Sequence, residues 1–355
     1  MTRHPPLAPG WIDQPHREAS IGDLPLESGG TLRDCRLVWV EHGQRNADRS
    51  NTVLVCCAIG STHHRLDFLI GEGRALDTRR FHVVAIDALG NGLSISPSNS
   101  PGQGGAAFPR ITVRDMVESQ RRLLGALGVG DLHAVVGASM GGMQALQWAV
   151  SHPKRVKRVV AMTAMARTSR WSQLMNELSR RAMFEDAGQL RPRDRAEAMR
   201  LWAPLTQLVT AGTPEAVERF ASPAALLREV SALEKKLDLH GPDPFDWACQ
   251  THAYDAHDVG TTPGMAGTEA ALRSISAPVL LLAPPLDLYN PAASSHEMAR
   301  LIPHARFVEI PSSAGHRAAS DANPGGTEFL NAVIGEFLAA QEASRSREGS
   351  VAGRF

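Results

Sequence analysis

Ser139, Asp287 and His316 are three residues whose types could together make a hydroxyl reactive. Ser139 lies in Gly137-Ala138-Ser139-Met140-Gly141, a G-x-S-x-G run directly after the apolar segment His133–Gly137 and before a helix expected from Gly142 through Val150. A serine hydroxyl is a poor nucleophile until a base takes its proton, and that base needs a carboxylate to orient it. In a strand–turn–helix elbow the serine oxygen is pushed out at the start of the following helix, where developing negative charge is stabilised. Glycines flank it because backbones pass where a β-carbon would clash. The acid and base should follow in the order Ser, acid, His. Asp287 comes just after the apolar run Pro278–Ala283, and His316 follows Phe307–Ile310 within Ser313-Ala314-Gly315-His316. His296 falls inside a predicted helix, His304 in a turn, and Asp321 after the histidine, which makes them the weaker rivals. The chemistry expected is attack on an ester or thioester carbonyl through an acyl-Ser139 intermediate. The oxyanion should be held by the backbone N–H of Met140 and by that of Ile59, with Ala58 as the alternative to Ile59.

These side chains need a sheet that ends where they sit. Short apolar runs at Leu37–Val40, Val53–Ala58, His82–Asp87, His133–Gly137, Val156–Met162, Pro278–Ala283 and Phe307–Ile310 read as strands. Helical spacing marks Thr112–Leu127, the stretch after Ser139, Ala292–Leu301 and Glu328–Ala340. Strands alternating with helices predict a mostly parallel sheet flanked by helices on both faces. Together with the serine elbow, this is the pattern of an α/β-hydrolase fold with an inserted helical cap. The boundaries expected are a lead-in over 1–30, a core over 31–165 and 264–341, a cap over 166–263, and a mobile tail over 342–355. The cap is rich in Arg, Glu, Ala and Leu and is broken by Pro192, Pro204, Pro214, Pro223, Pro242 and Pro244.

Composition narrows the partners. With 37 basic and 37 acidic residues the formal charge is zero, which gives no reason to expect nucleic acid or an anionic membrane. No apolar run approaches the roughly 18 residues of a membrane span. The opening MTRHPPLAPGWIDQ has no apolar stretch after its basic residue, so no secretory signal is expected, and a cytoplasmic location is. Cys35, Cys56, Cys57 and Cys249 are too few and too oddly spaced for a disulfide framework. No metal and no cofactor are expected. The run His252–Asp258 and the group His63, His64 and Asp67 contain metal-binding residue types, but hydrogen bonding at the cap junction and pocket lining are the preferred readings. Gly102-Gln103-Gly104-Gly105 lacks the Lys-Ser/Thr of a phosphate loop. Trp171, Met175 and Trp202 hint at an apolar acyl chamber.

Longer motifs go further. Ile70–Thr78 (IGEGRALDT), Phe108–Val117 (FPRITVRDMV) and above all Gly137–Trp148 (GASMGGMQALQW) resemble segments of the homoserine O-acetyltransferase family, as do Asp287-Leu288-Tyr289-Asn290-Pro291 and Gly315-His316. The likeness covers about residues 50–185 and 275–340. It implies Ser139, Asp287 and His316 as nucleophile, acid and base, acetyl-CoA as co-substrate, and a homodimer formed through the cap. The family has an Asp directly after the histidine, holding the homoserine amine, and Arg317 stands there in this chain. Reversing that charge repels an ammonium and attracts an anion. The candidate substrate-binding residues are Arg317 on this ground, Arg167 and Arg170 as candidates for the cap arginine that the resemblance implies for the homoserine carboxylate, and His63, whose loop overhangs the expected oxyanion hole. Hydrolysis of a small ester or thioester is the expected outcome. The alternatives are O-acetyl transfer from acetyl-CoA to homoserine, serine or another small hydroxyl compound, and a non-catalytic binding module on the same fold.

Overall fold

The computed structural model describes residues 4–323 and 325–340; the expected tail over 342–355 lies outside the described residues. The chain opens with strand β1 (Arg17–Ser20) and a small hairpin of β2 (Leu24–Pro25) and β3 (Thr31–Leu32), followed by β4 (Arg36–His42), β5 (Thr52–Cys56) and β6 (His82–Ile86). Then come helix α1 (Val113–Ala126), β7 (Ala134–Ala138), α2 (Met140–Ser151) and β8 (Val159–Met162). Eight strands form one sheet in the order β1-β4-β6-β5-β7-β8, continued by β11 (Val279–Ala283) and β12 (Ala305–Glu309). From β6 onward every neighbouring pair is parallel, whereas β1 and β4 run antiparallel at one edge.

The expected strands are all present, and β5, β6, β7, β8 and β11 are buried along their whole length. Continuous apolar runs, rather than alternating ones, are what a sheet covered on both faces requires. The segment before residue 31 departs from a plain lead-in, because Arg17–Ser20 pairs with Arg36–Trp39 and adds an edge strand. It carries no apolar signal, since none of its four side chains is buried.

Between β8 and β11 the chain leaves the sheet. It forms α3 (Arg170–Met183), a hairpin of β9 (Phe184–Asp186) and β10 (Arg191–Pro192), α4 (Arg195–Pro204), α5 (Pro214–Glu218), α6 (Pro223–His240), α7 (Pro244–Asp255) and α8 (Thr268–Arg273). Several of the prolines that read as breaks are starts. Pro214, Pro223 and Pro244 each open a helix behind the caps Thr213, Ser222 and Asp243, where a missing N–H costs nothing. Met183, Phe184, Met199, Trp202 and Trp247 give these helices their own apolar cluster. The chain ends with α9 (Ala292–Leu301) between β11 and β12, and α10 (Gly326–Ala339).

Strand register determines where the loops emerge. Cys56 lies beside Gly137, Ala138 beside Met162, and Met162 beside Leu282, so β5, β7, β8 and β11 end at one rim. β5 sits between β6 and β7, so consecutive connections depart on opposite sides of it. A crevice at such a switch point is where open α/β sheets place ligands. Among the described residues no helix is long and apolar enough to cross a membrane.

Candidate active site

Ser139 sits between β7 and α2 with φ 57° and ψ −125°. A left-handed φ at a non-glycine residue costs on the order of 1–3 kcal/mol and persists only where packing enforces it. The enforcement is visible. A β-carbon at Gly137 would lie 2.1 Å from the Gly141 carbonyl, and one at Gly141 would lie 2.2 Å from the Cys56 oxygen. The elbow therefore closes only with glycine at both positions. A buried polar relay then ties it to the neighbouring loop. Trp148 donates to Gln120 at 2.8 Å, Gln120 to Gln144 at 2.6 Å, and Gln144 to the Cys57 carbonyl at 2.9 Å. This relay accounts for Gln144 on a largely apolar helix, whereas Gln147 donates instead to Ser151 at 2.7 Å and Thr262 at 2.9 Å.

Three side chains converge on the rim. The Ser139 hydroxyl lies 2.7 Å from His316 Nε2, and His316 Nδ1 donates to Asp287 Oδ2 at 2.8 Å. The other Asp287 oxygen accepts the backbone N–H groups of Tyr289 and Asn290, each at 2.8 Å. Asn290 in turn donates to the Thr163 carbonyl at 2.6 Å and accepts from the Tyr254 hydroxyl at 2.5 Å. The Tyr289 ring meets His316 edge-on with centroids 5.0 Å apart, and its hydroxyl donates to Asn176. Every free rotation of the carboxylate and the imidazole is thus taken up. Burial pushes the Tyr254 and Tyr289 phenols upward, so both stay neutral donors. Met140 opens α2, and the first N–H groups of a helix have no intrahelical partner.

Ser139 and His316 line a cavity of about 250 Å³ beneath α3 and α4, with Ile59, Met175, Trp202 and Trp247 among its apolar walls. Of the expected substrate-binding residues only Arg317 lines it. Its Nε is buried without a hydrogen-bond partner. The other three need correcting. His63 does not line this cavity, because Asp87 at the end of β6 takes its Nδ1 at 2.8 Å and its backbone N–H at 2.9 Å. Arg167 is exposed and pairs with Asp258 through a backbone β-bridge, and Arg170 is exposed beside Gln173. Their place at the helix entry points them outward. Trp171, also expected near an acyl chamber, is half-exposed. A residue that sequence reading passed over takes part instead: Arg65 lines the cavity together with Arg317. No motif marks it; it shares a short turn with His63 and His64.

The run His252–Asp258 holds no cluster of ligands. Asp255 pairs with Arg180 at 2.8 Å, His257 donates to the Met165 carbonyl at 3.2 Å, and Asp258 accepts from Gly260. All four cysteines are free, and burial pushes the Cys35 thiol up to about 12.

A second buried carboxylate marks a pH-sensitive contact. Asp246 on α7 accepts from the Ser98 backbone at 2.9 Å and from its hydroxyl at 2.6 Å, and burial raises its pKa to about 7. A folded-state value above the unfolded one means that the native protein binds the extra proton between about pH 4 and 7. This group therefore adds stability as the pH falls through that window and loses it as the pH rises. Asp246→Asn keeps an acceptor for the Ser98 N–H without the buried charge. Its melting temperature should exceed that of the wild type at pH 8, with the gap closing toward pH 5. A gap independent of pH in differential scanning calorimetry would refute the assignment.

Comparison with known proteins agrees with this architecture. Residues 51–321 match the family described as alpha/beta hydrolase fold, so the fold and the serine elbow define the class. Over 332 residues the chain is 33% identical to a homoserine O-acetyltransferase of Chlorobaculum tepidum, covering 88% of this chain and 92% of that protein. A homoserine O-succinyltransferase of Methylibium petroleiphilum is 42% identical over 181 residues, 46% of this chain and 47% of that one. The solved structure of the acetyl esterase MekB superposes with a TM-score of 0.84 at 28% identity, covering 92% of this chain and 97% of that one. The chain belongs to the homoserine O-acetyltransferase-like family of α/β-hydrolase-fold proteins.

Proposed function

We propose that this protein is an O-acyltransferase that carries a short acyl group from a thioester such as acetyl-CoA, through Ser139, to a small hydroxyl acceptor. The observation that carries this reading is the Ser139–His316–Asp287 hydrogen-bonded chain, found in a sequence that matches a homoserine O-acetyltransferase over 92% of that relative's length. The expectation of hydrolysis gives way to transfer as the better supported reading. In the first half-reaction Ser139 Oγ attacks the thioester carbonyl while His316 Nε2 takes its proton. Asp287 holds the imidazolium, and the N–H groups of Met140 and Ile59 receive the oxyanion. The thiolate leaves with the proton from His316. In the second, the acceptor hydroxyl gives its proton to His316, attacks the acyl-serine carbonyl and departs as the ester, and the proton returns to Ser139.

Arg65 and Arg317 line the same cavity, and neither forms an ion pair with a carboxylate among the described residues. Two guanidinium groups there favour a substrate bearing a carboxylate, on the acceptor or on a dicarboxylic acyl group, over one that presents an ammonium at residue 317.

Hydrolysis is the second reading, favoured by the arginine at 317 and by the likeness to the acetyl esterase. One experiment separates the two. The protein is incubated with acetyl-CoA or succinyl-CoA, with and without homoserine, serine or glycerol, and both free thiol and O-acyl product are followed. Transfer requires an acceptor-dependent thiol release matched mole for mole by ester. Thiol release with no ester would assign water as the acceptor. Arg317→Ala should raise KM for the carboxylate-bearing substrate by roughly 10–100-fold, the range of a lost charged hydrogen bond. Turnover of neutral p-nitrophenyl acetate should change little; equal losses on both substrates would remove Arg317 from recognition.

A further inference from the structure

The fold brings together two pairs of histidines that lie between 47 and 60 positions apart in the chain. His4 and His16 precede β1, whereas His63 and His64 open the turn His63–Leu69 after β5. Each offers a ring nitrogen, and the four nitrogens lie within 4.8 Å of one another. His64 Nε2 is 3.0 Å from His4 Nε2. The two inner rings are oriented from behind. His63 Nδ1 donates to Asp87 at 2.8 Å and His64 Nδ1 to Asp67 at 2.6 Å. The carboxylates are themselves held, Asp87 by Asn91 at 2.9 Å and Asp67 by the Ile12 N–H at 2.8 Å.

With Nδ1–H committed to a carboxylate, Nε2 of each inner ring presents a lone pair to the cluster. His63 Nε2 is buried and has no hydrogen-bond partner. A buried acceptor left unpaired in a group so carefully oriented needs an explanation. Carboxylate–histidine pairs that fix a tautomer and aim the opposite nitrogen are the outer shell of metal sites. An all-imidazole donor set suits zinc, nickel, copper or iron and is unsuited to calcium or magnesium. Tetrahedral zinc with nitrogens at about 2.05 Å spaces its ligands roughly 3.3 Å apart, a small contraction of this cluster.

We propose that His4, His16, His63 and His64 form a four-coordinate site for a divalent transition metal, with Asp87 and Asp67 behind it. Four protein ligands leave no open position, so the ion is a clasp rather than a reagent. It ties the segment before β1 to the turn that follows the Ile59 loop, and it is separate from the acyl-transfer chemistry at Ser139.

The test uses the full chain free of any polyhistidine tag, stripped with a chelator and titrated with zinc. The expected result is about one ion retained per chain after gel filtration, a rise in melting temperature on zinc addition, and a cobalt derivative with the strong visible absorption of a tetrahedral site. His16→Ala alters an exposed side chain and should weaken zinc binding at least about tenfold, and Asp87→Asn by about 10–100-fold. His4→Ala combined with His16→Ala should abolish both retention and the thermal shift, while His304→Ala on the exposed far surface retains them. The proposal is overturned if the wild type elutes without stoichiometric metal. It is equally overturned if the double variant, folded by circular dichroism, holds zinc as the wild type does.

Discussion

Ser139→Ala should lower turnover of both ester and thioester substrates by on the order of a millionfold, leaving only what binding and the oxyanion donors supply. The removed atom is the one 2.7 Å from His316, and the strained backbone that presents it is untouched by the change. The variant should therefore fold and melt like the wild type. Two measurements check it: steady-state turnover, and mass spectrometry of the intact protein after mixing with acyl donor. Wild type should carry one acyl group and accept a serine-directed fluorophosphonate, and the variant neither. Unchanged turnover would end the acyl-serine mechanism, and failure of folded wild type to label would favour the non-catalytic reading.

Asp287→Asn should cost roughly 10⁴-fold in kcat with little loss of stability, through the tautomer of its neighbour. One Asp287 oxygen accepts the N–H groups of Tyr289 and Asn290, which will hold the amide oxygen of the asparagine in that position. The amide nitrogen is then left facing His316 Nδ1, which must become an acceptor. The ring proton moves to Nε2, the atom that should receive the proton of Ser139. Imidazole nitrogen NMR reads the tautomer directly, alongside kcat. If activity persists with the proton on Nε2, Asp287 is not the orienting group.

Much of the site was legible because its parts obey local rules. The elbow demands strand, small residues and helix in sequence, and GASMGGMQALQW supplies all three. Asp287 and His316 sit in loops after apolar strands, so their order along the chain and their position at the rim follow from the strands themselves. Substrate contacts were less legible. Arg167 and Arg170 have the right charge in the right stretch, but helix α3 starts beside them and leaves both exposed. His63 was expected to overhang the serine and is instead drawn back by Asp87. Arg65, two positions further on, reaches the cavity. Within a turn of three or four residues, direction is decided by which partner lies behind each side chain, and that partner is distant in sequence.

By itself the sequence determined a parallel sheet, its covering helices and a candidate nucleophile, base and acid, since apolar runs and glycine spacing are properties of neighbouring residues. Only the tertiary structure decided which cations share a cavity with Ser139 and which histidines meet. Those outcomes depend on long-range approach: Ile12 against Asp67, Asp87 behind His63, His4 beside His64. Residues tens of positions apart become neighbours through the packing of a whole sheet, and no local pattern in the chain records it.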